Sequence, residues 1–188
     1  MNSNPAKVQH LKVPHNNPVP LIETERLLLR GHRIEDFDDC LAMWSDPEVT
    51  RFIGGKPFTG EDVWARMLRY SGHWHWLGYG YWLVADKETG EFIGEAGFAD
   101  FKRMISPSFD GVPEIGWALT SWSHGRGYAT EAVTAAVAWG DKHFGRKAAT
   151  GCLIHPDNTA SIKLALKCGY GEYCRTSYKD HPAIIYRR

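Results

Sequence analysis

Between Glu114 and Glu131 the chain reads Glu-Ile-Gly-Trp-Ala-Leu-Thr-Ser-Trp-Ser-His-Gly-Arg-Gly-Tyr-Ala-Thr-Glu. Such a stretch can hold an anion. An apolar strand runs into a turn bearing Gly125 and Gly127, and a long helix opens directly from it, so the unpaired amides of the first helical turn point at whatever sits there. The two glycines remove the Cβ atoms that would keep a phosphate off the backbone, and Arg126 adds a positive charge beside it. A diphosphate would fit. The nucleoside-triphosphate loop is excluded, because no glycine is followed by Lys-Ser or Lys-Thr. The dinucleotide fingerprint is poorly met: Gly125 and Gly127 suit its first two places, but Thr130 stands at the third and no repeated βαβ units surround it. A metal centre is not expected. In His73-Trp74-His75-Trp76 the two histidines point to different faces of a helix, and no carboxylate at ligand spacing completes a set.

The elements that must position this loop follow from periodicity. Residues 26–30 read as a first strand ending at Gly31. Residues 34–44 read as a helix with Phe37, Leu41 and Trp44 on one face, stopped by Asp46-Pro47. A second helix over residues 58–76 has Thr59 as its N-cap, Asp62 three residues on, and Val63, Met67 and Tyr70 along one side. Residues 79–85, 91–99 and 112–119 then alternate like strands, the first two as a hairpin and the third extending it. Ala129, Ala132, Val133, Ala136, Val137 and Gly140 give the helix from Gly127 to about Phe144 a small-residue face that can press closely on a sheet. A strand over 148–154, a helix from Asn158 closed by Gly169, and a final pair over 170–175 and 183–187 complete the order.

Composition narrows the class. The 188 residues suit one domain, with 43% hydrophobic residues and 24 aromatics as the sum of 8 Trp, 8 Tyr and 8 Phe, enough apolar surface to offset the entropy of ordering. Residues 1–20, rich in Pro and Asn, read as a flexible leader, and 21–188 as the domain. Twenty-two Lys+Arg balance 22 Asp+Glu, which argues against nucleic acid or acidic membrane as partner. No apolar run approaches a membrane span and the N-terminal residues lack a hydrophobic signal segment. The four cysteines lie far apart without a C-x-x-C pair, so reduced thiols and a cytoplasmic address are expected.

The loop His124-Gly125-Arg126-Gly127-Tyr128-Ala129 resembles the phosphate loop [Gln/Arg]-x-x-Gly-x-[Gly/Ala] of the GNAT superfamily of N-acetyltransferases, with His124 departing at the first position. Thr24-Glu25-Arg26-Leu27-Leu28-Leu29-Arg30, Ser45-Asp46-Pro47-Glu48-Val49, Glu114-Ile115-Gly116-Trp117 and Asn158-Thr159-Ala160-Ser161 with Lys167-Cys168-Gly169-Tyr170 resemble its ribosomal-protein (RimJ/RimL-like) branch, over nearly all of the chain beyond the leader. The resemblance implies an α/β (α+β) fold: a central, mixed, mostly antiparallel sheet of about seven strands with helices on both faces. The central strands 112–119 and 148–154 would splay apart to admit the pantetheine arm of acetyl-CoA. It implies transfer of the acetyl group to a primary amine, of a protein N-terminus or a small molecule, by direct attack in a ternary complex.

By the same resemblance, His124 through Thr130 hold the pyrophosphate, with Tyr128 either stacking on the carrier or stapling the helix to the sheet. A backbone N–H among Trp117, Ala118 and Leu119 polarises the thioester oxygen, and Asn158 and Ser161 lie near the pantetheine and sulfur, Ser161 as the acid for the departing thiolate. Helix capping is the alternative for Asn158, and the first helical turn for Ser161. Glu95 and Glu114 lie on adjacent expected strands. Either could accept the amine proton, Glu114 being favoured because its strand leads into the loop, and either could instead pair with an arginine. The need for a base depends on the amine, since deprotonation at pH 7 costs about 4.6 kcal/mol for a lysine but about 1.4 kcal/mol for an α-amine. Trp44, Phe52, Trp74 and Trp76 are candidates for shaping the acceptor pocket or the core. A non-catalytic acyl-CoA sensor is the alternative function, and monomer and homodimer stay equally open.

Overall fold

Alternation of apolar side chains in the centre of the chain sets two cores, one on each face of a single sheet. The computed structural model describes residues 19–188. Its strands are β1 (Ile22–Glu23), β2 (Leu27–Arg30), β3 (Tyr81–Asp86), β4 (Phe92–Ala99), β5 (Glu114–Leu119), β6 (Gly151–Ile154), β7 (Gly171–Tyr178) and β8 (His181–Arg187). They form one eight-stranded sheet in the order β1-β2-β3-β4-β5-β6-β8-β7. Every pairing is antiparallel except β5 with β6. The eighth strand is β1, whose two residues are too short for a periodicity to register.

On one face, Trp82, Val84, Ile93, Phe98 and Ile115 are buried under helix α4 (Tyr128–His143) and helix α5 (Thr159–Lys167). On the other, Leu83, Ala85 and Ala118 are buried under α1 (Phe37–Trp44) and α3 (Gly60–Leu77). The small face of α4 does what its spacing suggested. Ala132, Val133, Ala136, Val137 and Gly140 are all buried, and a Cβ added at Gly140 would meet Phe98 at 2.8 Å.

Two helix starts show local chemistry at work. At α3 the Thr59 side chain accepts from the Asp62 amide while the Asp62 carboxylate accepts from the Thr59 amide, a reciprocal cap that satisfies two orphan donors. Asp46-Pro47, expected only as a stop, also begins a short helix α2 (Pro47–Thr50). Asp46 accepts from the Glu48 amide and Pro47 takes the first helical position, where its missing N–H costs nothing.

The expected leader falls almost wholly outside the described residues. Its last two, Val19 and Pro20, are attached to the domain: Val19 packs on the core and Trp82 Nε1 donates to the Pro20 carbonyl at 2.8 Å. No helix among the described residues is long and apolar enough to cross a membrane.

Candidate active site

The turn after β5 carries a 3-10 segment, Ser121–Ser123, and then two glycines in the left-handed region, Gly125 at φ 75° and Gly127 at φ 82°. Gly127 is the N-cap of α4 and, having no side chain, gives no cap bond. The first amide with an intramolecular acceptor is Glu131, which donates to the Gly127 carbonyl at 3.1 Å. The six amides from Gly125 to Thr130 therefore have no acceptor among the described residues. Six unpaired donors in one turn at the positive end of a 16-residue helix make an anion cradle.

Arg26, at the approach to β2, braces this cradle. Its guanidinium pairs with Glu131 at 2.7 Å, donates to the Arg126 carbonyl at 3.0 Å and lies over the Tyr128 ring at 4.6 Å. Glu131 accepts from Thr24 Oγ1 at 2.6 Å and from the Arg26 amide at 2.8 Å as well. Burial alone would raise the Glu131 pKa; the Thr24 and Arg26 donors outweigh it and hold the carboxylate below its ordinary value. Tyr128 packs against the core beneath Arg26. His124 is bound by its Nε2, which donates to the Leu119 carbonyl at 3.1 Å, so it ties the loop back to the strand.

The parallel pair β5–β6 is joined at one register only, Glu114 opposite Gly151, with the Gly151 amide on the Pro113 carbonyl at 3.1 Å. Beyond that point the strands part. Thr120 donates to Ile93 at 2.9 Å, so even-numbered residues of β5 turn their backbone groups to β4 and odd-numbered ones face the gap. Trp117 and Leu119 thus present amides to the opening, while Ala118 belongs to the β4 ladder opposite Glu95. Across the gap Leu153 faces inward by the same alternation, since Gly151 does.

Both candidate bases are already engaged. Glu95 is fully buried and accepts from His32 Nε2 at 3.0 Å, Trp44 Nε1 at 3.0 Å, Tyr70 OH at 3.1 Å and Cys40 Sγ at 3.5 Å. Burial alone would raise its pKa; His32 together with the charge of Arg66 and the Trp44 N–H outweigh that and hold it below the ordinary carboxylate value. Glu114 forms a two-pronged pair with Arg103, at 2.6 and 2.8 Å, and is 5% exposed. It also stands at the closed end of β5, roughly 16 Å along the strand from Leu119. The favoured base is thus the one further from the loop, and the nearer one has its oxygens filled.

The GNAT acetyltransferase domain model matches residues 26–171. The chain belongs to the GNAT acetyltransferase family. It is 36% identical over 144 residues, 75% of this chain and 76% of that protein, to the "Uncharacterized N-acetyltransferase p20" of Bacillus licheniformis. A crystal structure of an acetyltransferase from Agrobacterium tumefaciens str. C58 superposes with a TM-score of 0.77 at 27% identity, over 90% of this chain and 94% of that one. RimL, a ribosomal L7/L12 alpha-N-protein acetyltransferase solved with coenzyme A, shares the fold at a TM-score of 0.72 and 15% identity, over 90% of this chain and 97% of it.

The remaining expected residues of this GNAT enzyme are divided. Asn158 caps α5, its Oδ1 accepting from the Ser161 amide at 3.1 Å. Ser161 is partly buried, and its hydroxyl takes no hydrogen bond among the described residues. Trp44 faces the Glu95 cluster. Trp74 instead belongs to the core, edge-on to Trp82 and Trp139 at 4.7 and 5.5 Å, Phe52 stacks on His155 at 5.5 Å, and Trp76 is 83% exposed. Sequence reasoning missed His32, Arg66, Tyr70, Tyr81 and Arg103. Only Tyr70 had been placed, as a core position of α3. His32, Cys40 and Glu95 bring ligand-type atoms within 4.8 Å of one another; Glu95 Oε1 accepts from His32 Nε2 and Cys40 Sγ there, while Oε2 accepts from Trp44 and Tyr70.

Proposed function

We propose that this GNAT enzyme transfers an acetyl group from acetyl-CoA to a primary amine in one ternary complex. The reading is carried by the six unpaired amides from Gly125 to Thr130, a cradle for the pyrophosphate that opens beside the divided strands. The coenzyme A of the RimL complex, in a protein of the same fold, supports the same choice of carrier. Trp117 and Leu119 offer main-chain donors to the gap, where one amide stabilises the thioester oxygen as negative charge develops. The amine nitrogen bonds to the carbonyl carbon, the carbon–sulfur bond breaks, the thiolate takes a proton from Ser161, whose hydroxyl is unengaged, and Ser161 regains one as the now cationic nitrogen gives up its extra proton, directly or through solvent, to leave the neutral amide.

Neither Glu95 nor Glu114 is placed to accept the amine proton directly. Loss of that proton to solvent before attack suffices for an amine of modest pKa, where it costs about 1.4 kcal/mol. Glu95 orders Trp44 and Tyr70, and Glu114 orders Arg103. The test is calorimetric titration with acetyl-CoA, followed by thiol release on a panel of amines. Binding with turnover supports the reading, whereas absence of binding, or binding without thiol release on any amine, would overturn it.

A further inference from the structure

Three guanidiniums gather where α3, β4 and the start of β5 meet, beside the point at which β5 leaves β6. Arg66 lies over Trp44 at 3.9 Å and, among the described residues, its one hydrogen-bond partner is the Tyr70 hydroxyl at 3.0 Å and its buried Nε has no acceptor. Arg69 and Arg103 both approach the Phe101 ring, at 5.3 and 4.7 Å. Arg103 is matched by Glu114. Arg69 is exposed and has no carboxylate partner among the described residues. Loss of surrounding water and then the charge of Arg66 hold its pKa below the usual arginine value. Other carboxylates nearby are spent: Glu95 on His32 and the Tyr70 and Trp44 donors, and Asp100 on Lys102 at 2.7 Å.

Tyr81 connects this cluster to the gap. Its ring stacks on Tyr70 at 4.5 Å and reaches Gly116, its hydroxyl so close that no Cβ fits there. The next residue is Trp117, whose amide faces the opening. An acceptor entering from the α3 side thus meets an excess of positive charge immediately before the reaction centre. A polyamine would be repelled there, and an anion would satisfy both Arg69 and the orphaned Arg66 Nε.

We infer that the acceptor is an amino-carboxylate, a primary amine with a carboxylate a short chain away, and that Arg69 with Arg66 receives the carboxylate. This rests on the acetyltransferase reading and narrows it to a substrate class. The experiment measures thiol release by the full chain, with acetyl-CoA and matched pairs: alanine against alaninamide, β-alanine against its amide, γ-aminobutyrate against its amide, with spermidine alongside. At least one acid should exceed its amide 20-fold in kcat/KM, and Arg69→Gln should raise the KM for that acid at least tenfold with a much smaller change in kcat. Arg69→Lys should recover part of the loss. Equal use of acids and amides, preference for spermidine, or an unmoved KM in Arg69→Gln would overturn the inference while leaving acetyl transfer standing. Coenzyme binding with no thiol from any amine would overturn the acetyltransferase reading itself, and the inference with it.

Discussion

Glu95 shows most clearly how side chains distant in sequence combine at this site. Its partners His32, Cys40, Trp44 and Tyr70 come from 25 to 63 positions away, so no local pattern could announce them, and the carboxylate's adjacency to the Glu114 strand suggested a proton acceptor instead. A carboxylate held below its unfolded value near 4.5 stabilises the fold above that pH and ceases to do so as the pH falls through its lower folded value. Glu95→Gln should therefore lower stability at pH 7 by about 3 kcal/mol and flatten the acid side of the stability profile, read from urea midpoints at a series of pH values. Arg26→Met leaves Glu131 as an unmatched negative charge in the first turn of α4. We expect the Kd for coenzyme A to rise several-fold, and more so at low salt, by calorimetry at two ionic strengths. Gly127→Ala places a Cβ in the left-handed region and within 3.4 Å of Arg26. The backbone penalty alone is about 1 to 2 kcal/mol, and the affinity for coenzyme A should fall roughly tenfold.

Among the elements, α3 and α4 were legible because each carries its own boundary signal: the Thr59–Asp62 box in one, and Gly127 before a small-residue stripe in the other. The two-residue β1 and the four-residue α2 were not, since a period needs length to show. The splay of β5 from β6 was expected only by family resemblance. Which of its amides face the gap required the register, which removes Ala118 from the three residues proposed and leaves Trp117 and Leu119. Hydrogen exchange tests this directly. Without ligand the Trp117 and Leu119 amides should exchange far faster than those of Gly116 and Ala118, and coenzyme A should slow the fast pair. In β4, Gly97 sits under the Gly80 carbonyl and the Tyr81 Cα. Gly97→Ala should destabilise the protein by about 1 to 3 kcal/mol in chemical denaturation, because backbone stands in the way.

The molecule as a whole has two cores with different duties. The aromatic group of Trp74, Trp82, Trp139 and Phe144 packs around the C-terminal end of α4, while the side under α1 and α3 mixes Leu83 and Ala118 with the buried Glu95 and its donors. Composition disclosed the first but not the second, because 22 positive and 22 negative side chains cancel and conceal their uneven distribution. With a sequence pI near 7.1, the protein should be least soluble close to neutrality, measurable by polyethylene glycol precipitation across pH. The parting of β5 from β6 has a wider consequence. If, as proposed, main-chain groups hold the carrier's arm, no side-chain replacement along that ribbon erases them, short of proline. On that reading, descendants of this chain are free to vary Trp117 and its surroundings in pursuit of new amines while inheriting the same grip on the donor, whereas Gly116 stays fixed beneath the Tyr81 hydroxyl.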